Sequence, residues 1–235
     1  GEVKWVFRGG PRMAQSAREA LRPRDIGHGA RIEYQPLGVV AVISPWNYPV
    51  AMANNFIAPA LAAGNSVVLK ASEETPLIAR AFVDMMNEVL PHNLLQIIHG
   101  DGEQGRALVE SDVNMIAFTG SREAGRDIMA RAAGRLKRLV MELGGNDPMI
   151  VMHDADIEQA ARFAVANSFE NAGQMCVATE RIYVDGKIAE RFEKRVVELA
   201  ACCKVGPWDM PDVDIGPIIN AGQHGTIVEH IRDAE

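Results

Sequence analysis

Three observations predict an α/β fold built on an open parallel sheet: short β-branched runs alternate with helical patterns from Gly38 onward, several runs are apolar at nearly every position, and glycine-rich turns follow them. Strands covered on both faces lose the in-out alternation of a half-exposed sheet. The runs GVVAVIS (38–44), NSVVLK (65–70), LLQIIHG (94–100) and VNMIAFTG (113–120) have that continuous character. Helices on both faces are then required to cover them.

The intervening helices carry their own punctuation. Thr75 and Pro76 fit an N-cap and first helical position, and Pro91 stops the run. Between them Leu77, Ile78, Ala81, Phe82, Met85, Met86 and Val89 predict one buried face, with the methionines as core filler rather than ligands. A second set follows: strands at RLVMELGG (138–145) and PMIVMH (148–153), a helix from about Asp156 to Glu170, a strand at RIYVD (181–185) and a helix from about Lys187 to Cys203. The paired glycines Gly144 and Gly145 mark a seam between two domains, and residues 1–30, rich in Arg and Gly, read as an arm or excursion.

Composition narrows the function. The 235 residues are 48% hydrophobic and 23% charged, as in an ordinary globular chain, and a net charge of -7 disfavours a broad nucleic-acid surface. Arg131, Arg135, Lys137 and Arg138 form a local basic patch, read here as a solvated helix end and strand start. Residues 36–69 contain no charge and are long enough to cross a bilayer. Pro45, Pro49, Pro59 and four asparagines within them would leave polar groups unsatisfied in lipid, so the segment is expected to be a buried strand, loop and helix. Cys176, Cys202 and Cys203 include no C-x-x-C pair, which disfavours a disulfide framework or zinc knuckle and points to a reducing, cytoplasmic setting. No signal peptide and no metal-ligand spacing are recognised.

Two glycine-rich turns compete as nucleotide sites. GDGEQG, with Gly100, Gly102 and Gly105, matches the dinucleotide fingerprint after a strand and before a helix. FTGSREAG places Gly120, Ser121 and Gly125 at the entrance to another helix, where N–H groups can receive phosphate. The residues alone do not choose between them. No G-x-S-x-G elbow is present, and the best nucleophile is Cys176 in FENAGQMCVATERIYV, in a turn after a helix. A single cysteine is more often inert, and Lys70, Glu73 and Glu142 each have a plain reading as solvated or salt-bridged strand ends.

The ordered series SPWNYP, VVLKASEETPLIA, FTGS with Gly125, MELGGN and GQMC resembles the successive signatures of the aldehyde dehydrogenase superfamily over nearly the whole chain. The resemblance implies a partial NAD-binding domain over 31–143 and a partial, C-terminally truncated catalytic domain over 144–235. The family's acidic-x-Phe-Gly-Pro motif is not found before Glu235, so a central fragment is expected, of a parent that is a homodimer or homotetramer. Cys176 matches the nucleophile, Asn47 the oxyanion donor and Glu142 the general base. Matching cofactor positions are Ile43, Ser44, Pro45, Trp46, Lys70, Ser72, Glu73, Gly100, Gly120, Ser121, Gly125, Leu143 and Gly144, with the phosphates at Gly120 and Ser121 and GDGEQG reduced to an adenine-side loop. Glu73 at the ribose position favours NAD over NADP, since a carboxylate repels a 2′-phosphate.

The implied reaction oxidises a small-molecule aldehyde to an acid through a Cys176 thioester hydrolysed by water, with no membrane or nucleic-acid partner. Two alternatives stay open: an idle nucleotide-binding fragment, and an acylating, CoA-dependent dehydrogenase, a branch that usually lacks the Glu142 match. GQMCVATER is similar to semialdehyde and lactaldehyde-type members.

Overall fold

The computed structural model describes residues 12, 15, 16 and 18–234. Contacts divide the chain into two compact units, Gly1–Leu143 and Gly144–Glu235. Of the expected arm or excursion over 1–30, residues 1–11, 13, 14 and 17 lie outside the described residues. Within the rest, β1 (Arg24–Gly27) pairs antiparallel with β2 (Ala30–Ile32), turning through Gly27, His28 and Gly29 at positive φ.

The core of the first unit is one parallel sheet. Strands β3 (Val39–Ile43), β4 (Ser66–Lys70), β5 (Leu95–Ile98), β6 (Met115–Gly120) and β7 (Arg138–Leu143) lie in the order β5-β4-β3-β6-β7. Helices α1 (Ala51–Ala62), α2 (Pro76–Asn87), α3 (Gly102–Glu110) and α4 (Arg122–Ala133) connect them. Because successive side chains point to opposite faces, one face presents Val40, Val42, Val67 and Leu69 to Ile57 of α1 and Phe82 of α2. The other presents Ala41, Ile116 and Phe118 to Val109 of α3 and Ile128 of α4. This is the α/β architecture read from the sequence, and the four strand predictions agree with the observed strands to within two residues at each end.

The buried face of α2 is narrower than the sequence pattern indicates. Ala79, Phe82 and Val83 are buried and Met86 packs beside them, the i, i+3, i+4, i+7 stripe of one helix face. Leu77 and Val89 are 82% exposed, and Ile78 and Met85 also face outward. An apolar surplus too wide for one face had blurred the phase. Thr75 occupies the N-cap position but its hydroxyl makes no capping bond, leaving Pro76 as the start signal.

The uncharged stretch 36–69 resolves into β3, a loop, α1 and β4, and no helix among the described residues is long and apolar enough to cross a membrane. Its asparagines do structural work. Buried Asn65 accepts from the N–H groups of Leu37 and Gly38 at 2.7 and 3.0 Å and donates to Ala60 O at 3.0 Å, fastening the start of β3 to the end of α1. In the basic patch, Lys137 donates to the carbonyls of Val109 and Ser111 at the end of α3, Arg131 pairs with Asp127 and Glu110, and Arg135 lies 3.7 Å from Asp112.

In the second unit β8 (Asp147–Val151) pairs parallel with β9 (Thr179–Val184) across α5 (Ile157–Phe169), and α6 (Ala189–Ala201) follows. Asp156 caps α5 by accepting from Gln159 N–H at 3.1 Å. Val151, Ala161, Ala164, Ile188 and Phe192 form its core. Arg195 of α6 bridges to Glu158 of α5, and together with Arg162 it holds the Glu158 carboxyl down at about 2. A last helix, α7 (Ala221–Ala234), had no counterpart in the sequence reading; Asn220, which accepts from Gln223 N–H at 2.9 Å, is its start signal.

Leu69 is fully buried in the central sheet. Leu69→Ala is expected to lower unfolding free energy by about 2–5 kcal/mol, measured as a shift of the urea midpoint at unchanged slope.

Candidate functional site

The strand order of the first unit makes β3 the point from which the chain winds in both directions, and ligands of open α/β sheets bind beyond the carboxyl ends of the strands at such a point. A cavity of ≈ 570 Å³ lies there. The turn after β3 gives it Ile43, Ser44, Pro45 and Trp46, and the turn after β4 gives Lys70, Ser72 and Glu73. From the end of β6 come Thr119, Gly120 and Ser121. Nine positions matched through resemblance therefore share one wall system.

Among the described residues, two hydroxyls in that wall are buried without a hydrogen-bond partner, Ser44 Oγ and Thr119 Oγ1. Buried polar groups are rarely left so, and these two offer donors to a polar ligand. Ser121 caps α4 by accepting from Ala124 N–H at 3.2 Å, and the α4 N-terminus provides N–H groups suited to phosphate. A Cβ on Gly120 would stand 2.5 Å from Phe118 Cζ, so glycine keeps the backbone tight against β6. These features fit a dinucleotide.

The turn after β4 carries an ion pair. Lys70 is buried at the end of β4, and its ammonium lies 3.2 Å from Glu73 Oε2, with Glu73 about half exposed. A buried ammonium requires such a partner. Ser72 Oγ accepts from Glu74 N–H at 3.3 Å, shaping the same turn. Across the cavity the Asp127 carboxyl is held below its usual range chiefly by the Arg131 guanidinium bonded to it.

Four matched cofactor positions are not in the cavity wall. Gly100, at φ +136, has no space for a side chain, because a Cβ would meet the Gln104 side chain at 2.4–2.5 Å. That side chain accepts from Asp101 N–H at 2.9 Å while Asp101 Oδ1 accepts from Glu103 N–H at 2.8 Å, a capping box starting α3. Its neighbours Asp101, Gly102 and Gly105 line the cavity instead. Gly125 lies under the first turn of α4, where a Cβ would be 3.0 Å from Leu143 Cδ2, so Gly125 and Leu143 serve helix-sheet packing. Gly144 opens the second unit. The sequence reading missed Thr119, Asp101, Arg106, Glu123 and Asp127 of the wall; each flanks a strand-end turn that it did identify.

The three residues matched to chemistry sit on local devices. Asn47, partly buried after β3, accepts from Tyr48 N–H at 3.1 Å through Oδ1, which orients its carboxamide. Glu142 stands on the edge strand β7 opposite Thr119 and is exposed, on the face away from Met141 and Leu143, which pack toward α3 and α4. Both belong to the first unit.

In the second unit Cys176 is partly exposed in the turn before β9. The backbone reaches it through a short 3₁₀ turn, Glu170–Gly173, in which Asn171, Ala172 and Gly173 have φ of 52°, 58° and 74°. Left-handed non-glycine residues are strained, each by about 1–2 kcal/mol, and strain of this kind gathers at functional sites. Gln174 clamps the loop: its Nε2 donates to Asn171 O at 2.9 Å and its Oε1 accepts from Ile219 N–H at 2.9 Å. Ser168 Oγ donates to Thr179 O, and Thr179 Oγ1 to Asn167 Oδ1, closing the base of the loop. Asparagine and glycine in ENAG were the available signal for this turn. Among the described residues no group of three or more His, Cys, Asp or Glu is placed to hold a metal.

Comparison with known proteins gives the same picture. A probable succinate-semialdehyde dehydrogenase of Sinorhizobium fredii, whose name specifies NADP(+), is 42% identical over 85% of the chain and 42% of its own length. Phenylacetaldehyde dehydrogenase of Pseudomonas fluorescens is 43% identical over 90% of the chain and 43% of its length. The crystal structure of an oxidoreductase from Marinobacter aquaeolei superimposes with a TM-score of 0.94 at 37% identity, covering 100% of the chain and 50% of that protein. The chain thus spans about half the length of the relatives it matches. The model of the aldehyde dehydrogenase family matches residues 4–235, and the chain belongs to that family.

Proposed function

We propose that the full-length protein oxidises an aldehyde to a carboxylic acid with NAD or NADP as hydride acceptor. The observation that carries this reading is the cavity at the sheet's switch point, with two partnerless buried hydroxyls and a serine-capped helix, in a chain of this family. Glu73 biases the ribose position toward NAD, by accepting from sugar hydroxyls and repelling a 2′-phosphate.

Cys176 acts as the nucleophile. Its thiolate forms a C–S bond to the aldehyde carbon while the carbonyl π electrons move to oxygen. The Asn47 amide and the Cys176 backbone N–H stabilise that oxyanion, fixed dipoles being worth most where charge develops. Collapse of the oxyanion to a thioester on Cys176 expels a hydride from the same carbon, and a nicotinamide dinucleotide held by the cavity wall would supply the acceptor for it. Glu142 then takes a proton from water, whose oxygen attacks the thioester; the C–S bond breaks and the acid leaves with Cys176 regenerated. Water as acceptor, and hence Glu142, separates this reading from a CoA-dependent one. A homo-oligomeric, cytoplasmic parent is part of the same proposal.

Three outcomes test it in the full-length protein. Cys176→Ala should abolish formation of reduced cofactor while cofactor binding persists, and retained turnover would remove Cys176 as nucleophile. Glu142→Gln should give one burst of reduced cofactor and then stall, as followed by stopped-flow absorbance; steady turnover at the wild-type rate counts against the base. Asn47→Ala should lower kcat by about a hundredfold or more, and an effect on KM alone would reassign it to binding.

A further inference from the structure

A second cavity, of ≈ 510 Å³, lies wholly within the second unit. Val165 and Phe169 of α5, Leu199 of α6 and Ile215 give it an apolar wall, and two thiols that the proposed chemistry leaves unused, Cys202 and Cys203, line it as well. Cys202 closes α6 as its C-cap and is exposed, while Cys203 is partly buried and its Sγ donates to Leu199 O at 3.6 Å. Two adjacent thiols therefore share one cavity wall.

The pair is badly placed to close on itself. Adjacent Cα atoms are about 3.8 Å apart, whereas a disulfide prefers about 4.4–6.8 Å, so a direct S–S bond would have to distort the backbone. That backbone is fastened: Lys204 N–H donates to Asp214 Oδ2 at 2.9 Å, and Lys204 O accepts from the N–H groups of Asp214 and Ile215 at 2.9 and 3.1 Å. A centre that bridges the thiols through an atom of its own escapes the constraint. A structural zinc asks for about four protein donors, and among the described residues no group of three or more His, Cys, Asp or Glu is placed to hold a metal. What fits is a centre that takes two protein sulfurs and brings an apolar group to fill the cavity.

We propose that Cys202 and Cys203 form a thiophile-binding site, separate from Cys176, for trivalent arsenic carrying one aryl or alkyl group. Two S–H bonds break and two As–S bonds form; the oxygen of the arsenic oxide leaves as water with both protons, and arsenic stays trivalent. Soft sulfur suits this soft centre. Two linked donors hold it as one chelate, and the organic group is buried against Val165, Phe169 and Leu199.

The test treats the full-length protein with phenylarsine oxide, maps the adduct by peptide mass, and reads affinity by competition with a small dithiol. One phenylarsenic group should bridge Cys202 and Cys203, resist a monothiol and be released by 2,3-dimercaptopropanol. Cys202→Ser and Cys203→Ser should each weaken binding by about a hundredfold or more. Ala166 also lines the cavity. Ala166→Phe, which fills the space without touching either thiol, should weaken the phenyl reagent by about tenfold or more and leave methylarsine oxide unchanged. An adduct confined to Cys176, no adduct at all, or binding that survives both serine variants would overturn the proposal. Undiminished binding of the phenyl reagent by Ala166→Phe would overturn it too, because the apolar wall would then play no part.

Discussion

The first unit depends on the parallel pairing of β3 with β4 on one side and β6 on the other. A central strand hydrogen-bonded on both edges and buried on both faces cannot slip, since a shift of one residue would exchange Val40 and Val42 with Ala41 between two different cores. That fixed register brings the turns after Ile43, Lys70 and Gly120 to one level, and the cavity is the space they enclose. The polar groups of the wall are thus held by apolar packing several residues away. Stability and ligand geometry have a common origin in this strand.

What could be read from the sequence follows the same division. Strands buried on both faces announce themselves by composition, so β3 to β6 were legible as elements, and their glycine-rich ends were legible as turns. The phase of α2 was not, because Leu77, Ile78 and Val89 add apolar residues that packing does not use. Thr75 stands at the N-cap and Pro76 at the start of α2 as the pattern indicated, although the Thr75 hydroxyl makes no capping bond, whereas Asp156 does cap α5. The helix at Ala221–Ala234 carries no fully buried residue, and a weak face leaves a weak pattern.

Among the matched positions, those on the turns after β3, β4 and β6 fell into one wall, because the sheet order sets these three strand ends side by side. Gly100, Gly125 and Leu143 illustrate the converse. Each is a residue whose local need is structural, a capping box in one case and helix-sheet contact in the others, and a motif match does not separate touching a ligand from making room for the backbone.

The left-handed run at Asn171, Ala172 and Gly173 determines the path of the chain between α5 and the Cys176 turn. Were those residues to relax into right-handed geometry, α5 would lengthen by about one turn, roughly 5.4 Å, and Cys176 would be carried along and rotated with it. The reach of the thiol is therefore set by backbone handedness three to five residues upstream, and Gln174 acts as the latch that holds that choice. Exchange of Ala172 for a residue more or less tolerant of positive φ would therefore move the Cys176 thiol while leaving every side chain of the cavity wall untouched.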